Sequence, residues 1–361
     1  MQRIRVVYQA SLGGRILKDE RDSLGRAKGK EDWVEVTAEK KSIPPNHLPD
    51  IIPPDTSYTY FEGHEDNPFV YDPPGAFKIV NAWWLAEAAF LAYADSSFAK
   101  PCFLNAGFSD VEFFPKNNED ALNKSTQCYV AHNDNFIIVA FRGSESKERP
   151  GTNGRDIRYI IADWQVDLRA NLVESGQGGL VHEGFKEALD EVWDSSDPAQ
   201  ENMYLKPYLD SISNKNGRQL PVWFTGHSLG AALATLAAKR YGDAATLYTF
   251  GSPRVGDGAY AEGFHLDSYR FVNNDDLVTK LPFPFPYRHV GRMKYIDSDG
   301  NVLDAPSLWR RLTNNFLRVV KNASNIVLLR LRGGVLPENS LSDHAPIYYA
   351  IRIWNVYSEC R

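Results

Sequence analysis

The alternation of apolar and polar positions along the chain changes character near residue 75. Upstream, Lys- and Glu-rich stretches give way to a proline series, Pro44-Pro45, Pro49, Pro53-Pro54, Pro68 and Pro73-Pro74. Proline fixes φ and removes a backbone donor, so such a segment favours extended and turn conformations over a core of its own. Its aromatic residues Tyr58, Tyr60, Phe61, Phe69 and Tyr71 weigh against disorder. Residues 1–75 are therefore expected to be an extension packed on a main domain of residues 76–361.

From Phe77 the periodicity is regular. Phe77 to Ala94 is a strongly apolar helical run, and Gly184 to Ser195, Met203 to Ser213 and His344 to Tyr357 also read as helices. Cys128 to Ala131 and Phe136 to Phe141 read as two strands joined by the turn-like His132-Asn133-Asp134-Asn135. Pro221 to Thr225, Ala244 to Phe250 and Ser268 to Asn273 are short apolar strands of the kind buried on both faces of a parallel sheet. Strands alternating with helices predict an α/β fold with a mostly parallel sheet and an antiparallel hairpin early on.

Composition narrows the function classes. A chain of 361 residues with 43% apolar content can bury a large core. A net charge of −6 without long basic runs argues against nucleic acid as a partner. No apolar stretch reaches bilayer-spanning length, and Met1 to Tyr8 lacks the apolar region of a cleaved secretory signal. The expectation is a cytoplasmic protein, or one secreted with its signal removed or by a non-classical route. Cys102, Cys128 and Cys360 have no metal-like spacing and read as structural thiols with one possible disulfide. Asn123-Lys124-Ser125 and Asn322-Ala323-Ser324 fit the N-glycosylation pattern, which has meaning only in a secreted eukaryotic protein.

The chemistry enters at Gly226-His227-Ser228-Leu229-Gly230, a G-x-S-x-G pentapeptide between an apolar strand and the alanine-rich helical run Leu229 to Arg240. A strand that turns abruptly into a helix puts the serine on a strained, exposed tip, and the helix N-terminus favours negative charge there. Without that context the motif would be an ordinary glycine-flanked turn. A serine hydroxyl needs a base to take its proton and an acid to orient the base. Asp276 follows the strand Tyr269 to Asn273, on a loop beyond its C-terminal end; the adjacent Asp275 is chemically equivalent. His265 precedes these acids, His289 lies in the strand-like Arg288 to Arg292, and His344 sits at a loop-to-helix junction. Chain order and setting favour His344 as the base. The oxyanion of a tetrahedral intermediate needs N–H donors. Leu229 N–H is one candidate, and Ser144, after the strand Phe136 to Phe141, is the other unless Arg142-Gly143-Ser144 is only a strand-end turn.

Phe141-Arg142-Gly143-Ser144, Asp163-Trp164 with Asp167-Leu168, and Val181-His182-Glu183-Gly184-Phe185 occur in that order with the pentapeptide and Phe250-Gly251-Ser252-Pro253-Arg254-Val255-Gly256-Asp257. Together they resemble the class 3 (fungal-type) triacylglycerol lipases of the α/β-hydrolase superfamily, over roughly residues 77–357. Asn273-x-x-Asp276-Leu277-Val278-x-x-Leu281-Pro282 is similar to that family's acid loop and selects Asp276 over Asp275. The resemblance implies an α/β-hydrolase fold, a mostly parallel central sheet flanked by helices, and a lid segment. It also implies hydrolysis of lipid carboxylic esters by Ser228, Asp276 and His344, with Ser144 and Leu229 as oxyanion donors and His182 as a structural support. The chemistry calls for neither metal nor cofactor.

Two stretches depart from the family pattern. A longer, more charged lid is expected at about residues 145–162, with Ile160 and Ile161 at its apolar end covering a substrate pocket. Its basic residues could approach anionic head groups, or the stretch could be a solvated loop. An insertion at about 300–340 holds an amphipathic pattern, Trp309, Leu312, Phe316, Val319 and Val320, that suits either an interfacial helix or one packed on its own domain. Phe283 and Phe285 follow the acid and would wall an acyl pocket or form a rigid core edge. The expected partner is a lipid ester at a lipid–water interface, with peripheral membrane contact. Phospholipase A1-like or feruloyl esterase activity would use the same machinery, and a noncatalytic membrane- or partner-binding protein on this scaffold is the rival of another class.

Overall fold

A computed structural model of the protein describes residues 15–17, 33–35, 39–45, 53–116, 126–144, 171–195, 203–215, 217–242, 245–282, 284–304 and 342–360. The expected lid, the insertion beyond residue 304, the sequons at Asn123 and Asn322, and the pocket residues Ile160, Ile161 and Phe283 lie outside them. In chain order the elements are β1 (Arg15–Leu17), β2 (Trp33–Glu35), α1 (Ile79–Leu91), α2 (Ser96–Asn105), β3 (Asp110–Phe114), β4 (Cys128–His132) and β5 (Ile137–Phe141). Then follow β6 (Leu172–Glu174), β7 (Leu180–His182), α3 (Glu183–Trp193), α4 (Leu205–Ser213), β8 (Asn214–Lys215), β9 (Arg218–Gln219), β10 (Val222–His227) and α5 (Leu229–Tyr241). The last are β11 (Ala245–Phe250), β12 (Gly256–Asp257), α6 (Gly258–Glu262), β13 (Ser268–Asn273), β14 (Tyr287–Arg288), β15 (Arg292–Ile296), β16 (Val302–Asp304) and α7 (Pro346–Glu359).

The main sheet has the order β16-β15-β13-β11-β10-β5-β4-β3. Its centre, β5, β10, β11, β13 and β15, is parallel, and β3, β4 and β16 pair antiparallel at the margins. Two-residue alternation sorts the strand side chains onto two faces. Tyr129, Ala131, Ile138, Ala140, Trp223, Tyr248 and Phe250 pack under α1 and α7. Cys128, Val130, Ile137, Val139, Val222, Phe224 and Leu247 pack under α3 and α5. Helical layers on both faces explain why these strands read as unbroken apolar runs. With its parallel centre, strand-to-helix elbow after β10 and helices on both faces, the architecture is that of an α/β-hydrolase. A small sheet, β14-β12-β7-β6, lies beside it.

α1 is buried over nearly its whole circumference, because the extension covers the side that the sheet does not. Phe61 and Phe69 pack on Trp84 at 5.1 and 6.1 Å between ring centres, and Trp83 meets Trp354 of α7 at 4.6 Å.

Some expectations are corrected. The strands β3, β15 and β16 were not legible, because charged residues such as Asp110, Glu112, Arg292 and Lys294 interrupt their apolar patterns. His289 falls between β14 and β15 rather than within a strand. The C-terminal helix starts at Pro346, whose ring suits the first helical position, so His344 lies in the short 3₁₀ turn Ser342–His344 before it. All three cysteines are free thiols.

The elbow depends on missing side chains. A Cβ at Gly226 would overlap the Gly230 carbonyl, and one at Gly230 would overlap the Phe141 carbonyl of the neighbouring strand. Gly230→Ala is expected to cost about 2 kcal/mol or more, since rigid backbone must move to admit the methyl group. Urea unfolding of the purified variant checks this; an unshifted midpoint would mean that strand and helix part freely.

Candidate active site

The parallel register brings the C-terminal ends of the strands to one sheet edge. Phe141 of β5 lies opposite Gly226 of β10, His227 opposite Phe250 of β11, and Phe250 opposite Phe271 of β13. The loops that leave these ends carry Ser144, Ser228, Gly251 and Asp276, so residues far apart in sequence share one rim.

Ser228 occupies the turn between β10 and α5 with φ 60° and ψ −125°, a region L-residues rarely enter. Such a conformation costs about 1–3 kcal/mol and persists only where the surroundings enforce it. Here the Ser228 N–H donates to the Phe250 carbonyl at 3.0 Å, and its own carbonyl accepts the Ala231 N–H at 3.0 Å.

The structure brings the three expected side chains together. His344 Nε2 lies 2.9 Å from Ser228 Oγ, while His344 Nδ1 lies 3.0 and 2.9 Å from Oδ1 and Oδ2 of Asp276. A carboxylate only accepts, so Nδ1 carries the ring proton and Nε2 accepts from the serine hydroxyl. Asp276 and His344 are both fully buried. A buried carboxylate is tolerable only when donors surround it, and Asp276 also receives the Val278 N–H at 2.9 Å and the Tyr349 hydroxyl at 2.6 Å. Gly251 makes room for this pair: its φ is +61°, and a Cβ there would stand 2.8 Å from Asp276 Oδ2 and 2.9 Å from His344 Nδ1. Asp275 instead faces Lys280 at 3.7 Å.

Two supports were not read from the sequence. Tyr349 donates to Asp276 while accepting the Asn273 N–H at 3.0 Å; burial, with the carboxylate beside it, pushes its hydroxyl well above the usual range, so it stays a donor. His227 is the second. Its Nε2 donates to the His344 carbonyl at 2.6 Å, which leaves Nδ1 to accept from the Tyr93 hydroxyl at 2.9 Å. Full burial and the neighbouring His344 depress its pKa well below the ordinary value, so the ring is neutral. Tyr93 carried no local signal, because a single tyrosine at a helix end acquires a role only when three segments meet.

Ser144 stands three residues past β5, and Leu229 is the first residue of α5, where the N–H has no intrahelical acceptor and the helix dipole is positive. His182 is buried and stacks on Phe185 at 4.2 Å. Phe285, expected to wall a pocket, is instead 84% exposed at the tip of a proline-flanked turn. His289 Nε2 donates to the Thr279 carbonyl at 2.8 Å, away from the serine–imidazole contact. Among the described residues no cluster of three or more His, Cys, Asp or Glu could hold a metal ion.

Residues 138–285 match the family Lipase (class 3). The match spans less than half of the chain. The chain is 31% identical over 194 residues to secreted mono- and diacylglycerol lipase A of Penicillium cyclopium, covering 50% of this chain and 55% of that one. It is 33% identical over 167 residues to the chloroplastic phospholipase A(1) DAD1 of Arabidopsis thaliana, covering 40% and 33%. The solved mono- and diacylglycerol lipase of Aspergillus oryzae aligns at a TM-score of 0.46 and 24% identity, over 64% of this chain and 87% of that one. The chain spans about half the length of the curated relatives it matches. The matched segment holds Ser228 and Asp276, whereas His344 lies beyond it.

The neutral His227 sets a pH dependence. An unfolded histidine titrates near 6.5, and the folded value lies below it. As pH falls below about 6.5, the unfolded chain takes up a proton that the folded chain refuses, so stability falls. His227→Gln keeps an N–H donor and should flatten this slope by up to about 1.4 kcal/mol per pH unit. Urea midpoints measured across that window test it; parallel slopes would contradict a neutral ring.

Proposed function

We propose that the protein is a serine esterase that hydrolyses acylglycerols or related lipid esters through an acyl-enzyme. The observation that carries the reading is the 2.9 Å contact between Ser228 Oγ and the unprotonated Nε2 of a histidine whose other nitrogen is held by buried Asp276. Ser228 Oγ attacks the ester carbonyl carbon while its proton passes to His344 Nε2. Negative charge builds on the former carbonyl oxygen, toward the Leu229 N–H and Ser144. Asp276 stabilises the imidazolium without taking its proton. Collapse of the intermediate breaks the bond to the alcohol oxygen, which takes the proton from Nε2. Water, deprotonated by His344, then attacks the acyl carbon, and the fatty acid leaves as Ser228 recovers its proton.

Acylglycerols are the favoured substrates, supported by the class 3 lipase match and by the similarity to a Penicillium mono- and diacylglycerol lipase. Phospholipid is the second reading, favoured by the similarity to a phospholipase A(1).

Tributyrin, triolein, phosphatidylcholine vesicles and methyl ferulate assayed in parallel separate the substrate classes, with the acylglycerols expected to turn over fastest. Ser228→Ala should lower kcat on the order of a million-fold and abolish labelling by a fluorophosphonate. Wild-type labelling of that variant would remove the assignment. Tyr349→Phe takes a charge-assisted hydrogen bond from Asp276 and should lower kcat by about tenfold to a hundredfold with KM little changed. Steady-state kinetics on a soluble short-chain ester would reveal it; a full-rate variant would show that Tyr349 only packs.

A further inference from the structure

On its proximal side His344 is continuous with α7 through Ala345, so the imidazole is only as well placed as the first turn of that helix. The inner face of α7 packs on α1 through Trp83 and Trp354. Its outer face is crossed by residues 39–45, which belong to the extension and lie outside the matched segment. The pairing is reciprocal. The Lys41 N–H donates to Asn355 Oδ1 at 2.8 Å, and Asn355 Nδ2 donates back to the Lys41 carbonyl at 3.0 Å. A side-chain amide here imitates one rung of a β-ladder on the flank of a helix. Two further bonds bracket it: Trp354 Nε1 to the Glu39 carbonyl at 2.8 Å, and the Tyr348 hydroxyl to the Pro44 carbonyl at 3.3 Å. Tyr348 lies in the first turn of α7, four residues beyond His344.

The Lys41 side chain then threads inward. Its ammonium lies 4.9 Å from the Tyr58 ring centre and 5.5 Å from that of Trp354, donates to the Tyr58 hydroxyl at 3.2 Å, and reaches Glu87 of α1 at 3.8 Å. Glu87 is the one charged residue of α1 and is fully buried, holding the Tyr58 hydroxyl at 2.7 Å and Trp83 Nε1 at 2.9 Å. An isolated carboxylate there would be costly, and Lys41 is the cation that faces it. One lysine thus links the extension, α1 and the helix behind His344.

We propose that residues 39–45 are a positioning strap for the reaction, with Lys41 and Asn355 as its anchors, holding α7 against α1 so that the His344 imidazole stays in register with Ser228. This rests on the esterase reading. A displacement of about 1 Å at a catalytic group, imposed from a distance, can cost on the order of a hundredfold in rate. The strap thus sets turnover rather than substrate affinity.

The test uses the full chain. Lys41→Met and Asn355→Leu each release one anchor, and Lys41→Arg keeps the cation. Each is assayed on a soluble short-chain ester, with the rate of fluorophosphonate labelling and the far-UV circular dichroism measured at the same temperature. The expected result is a kcat at least about tenfold lower for Lys41→Met and Asn355→Leu, unchanged KM, slower labelling in proportion and a folded spectrum, with Lys41→Arg close to wild type. Wild-type kcat in both released variants overturns the strap and leaves the esterase reading intact. So does a kcat that falls only as far as the folded fraction does. A wild-type protein that neither labels nor hydrolyses any ester overturns both.

Discussion

The bond between His344 Nδ1 and Asp276 is the constraint around which the molecule is organised. It is buried, charged on one side, and made by residues 68 positions apart. Taking a carboxylate out of water is tolerable only if every lone pair finds a donor, and here the donors come from the histidine, a backbone N–H and a tyrosine on the helix that follows the histidine. Removing any one leaves an uncompensated group in a low-dielectric interior. The cost of assembly therefore falls on the whole C-terminal edge of the sheet, and the strained Ser228 backbone is one sign of it.

The supports converge on that edge from both helical layers. β10 and α5 deliver the serine, β13 the acid, and α7 the base, while Tyr93 at the end of α1 closes the line through His227 to the His344 carbonyl. Hydrogen bonds to main-chain atoms dominate this scaffold. They fix where the chain runs, and side-chain geometry follows from that.

What the sequence revealed and concealed has a physical logic. Parallel strands covered on both faces, such as Val222 to His227 and Ala245 to Phe250, are mostly apolar and free of acidic and basic chains other than His227, so they stand out. The glycine-flanked serine stands out because close approach of strand and helix admits no Cβ. Strands at and next to the sheet margins carry charges, so the edge strand Asp110 to Phe114 and its counterpart Arg292 to Ile296, one strand in from the other edge, passed unread. The start of α7 was misplaced by two residues because His344-Ala345 looks helical until Pro346 is given the first helical position. Tyr349, Tyr93 and Lys41 act across long sequence separations, where no local pattern can report them. Phe285 was assigned from its place after the acid, and place in the chain says nothing about the direction in which a ring points.

The wraparound burial of α1 has a consequence for where this polypeptide can be divided. Although amino-acid usage changes abruptly near residue 75, that position is no seam between independent bodies. A fragment beginning there would leave Trp84 and Phe90 without Phe61, Phe69 and Tyr60 above them, and a helix stripped of its cover turns an aromatic flank to water. An exposed aromatic flank of that kind favours self-association, so shorter versions of the protein should retain the chain from residue 39 onward.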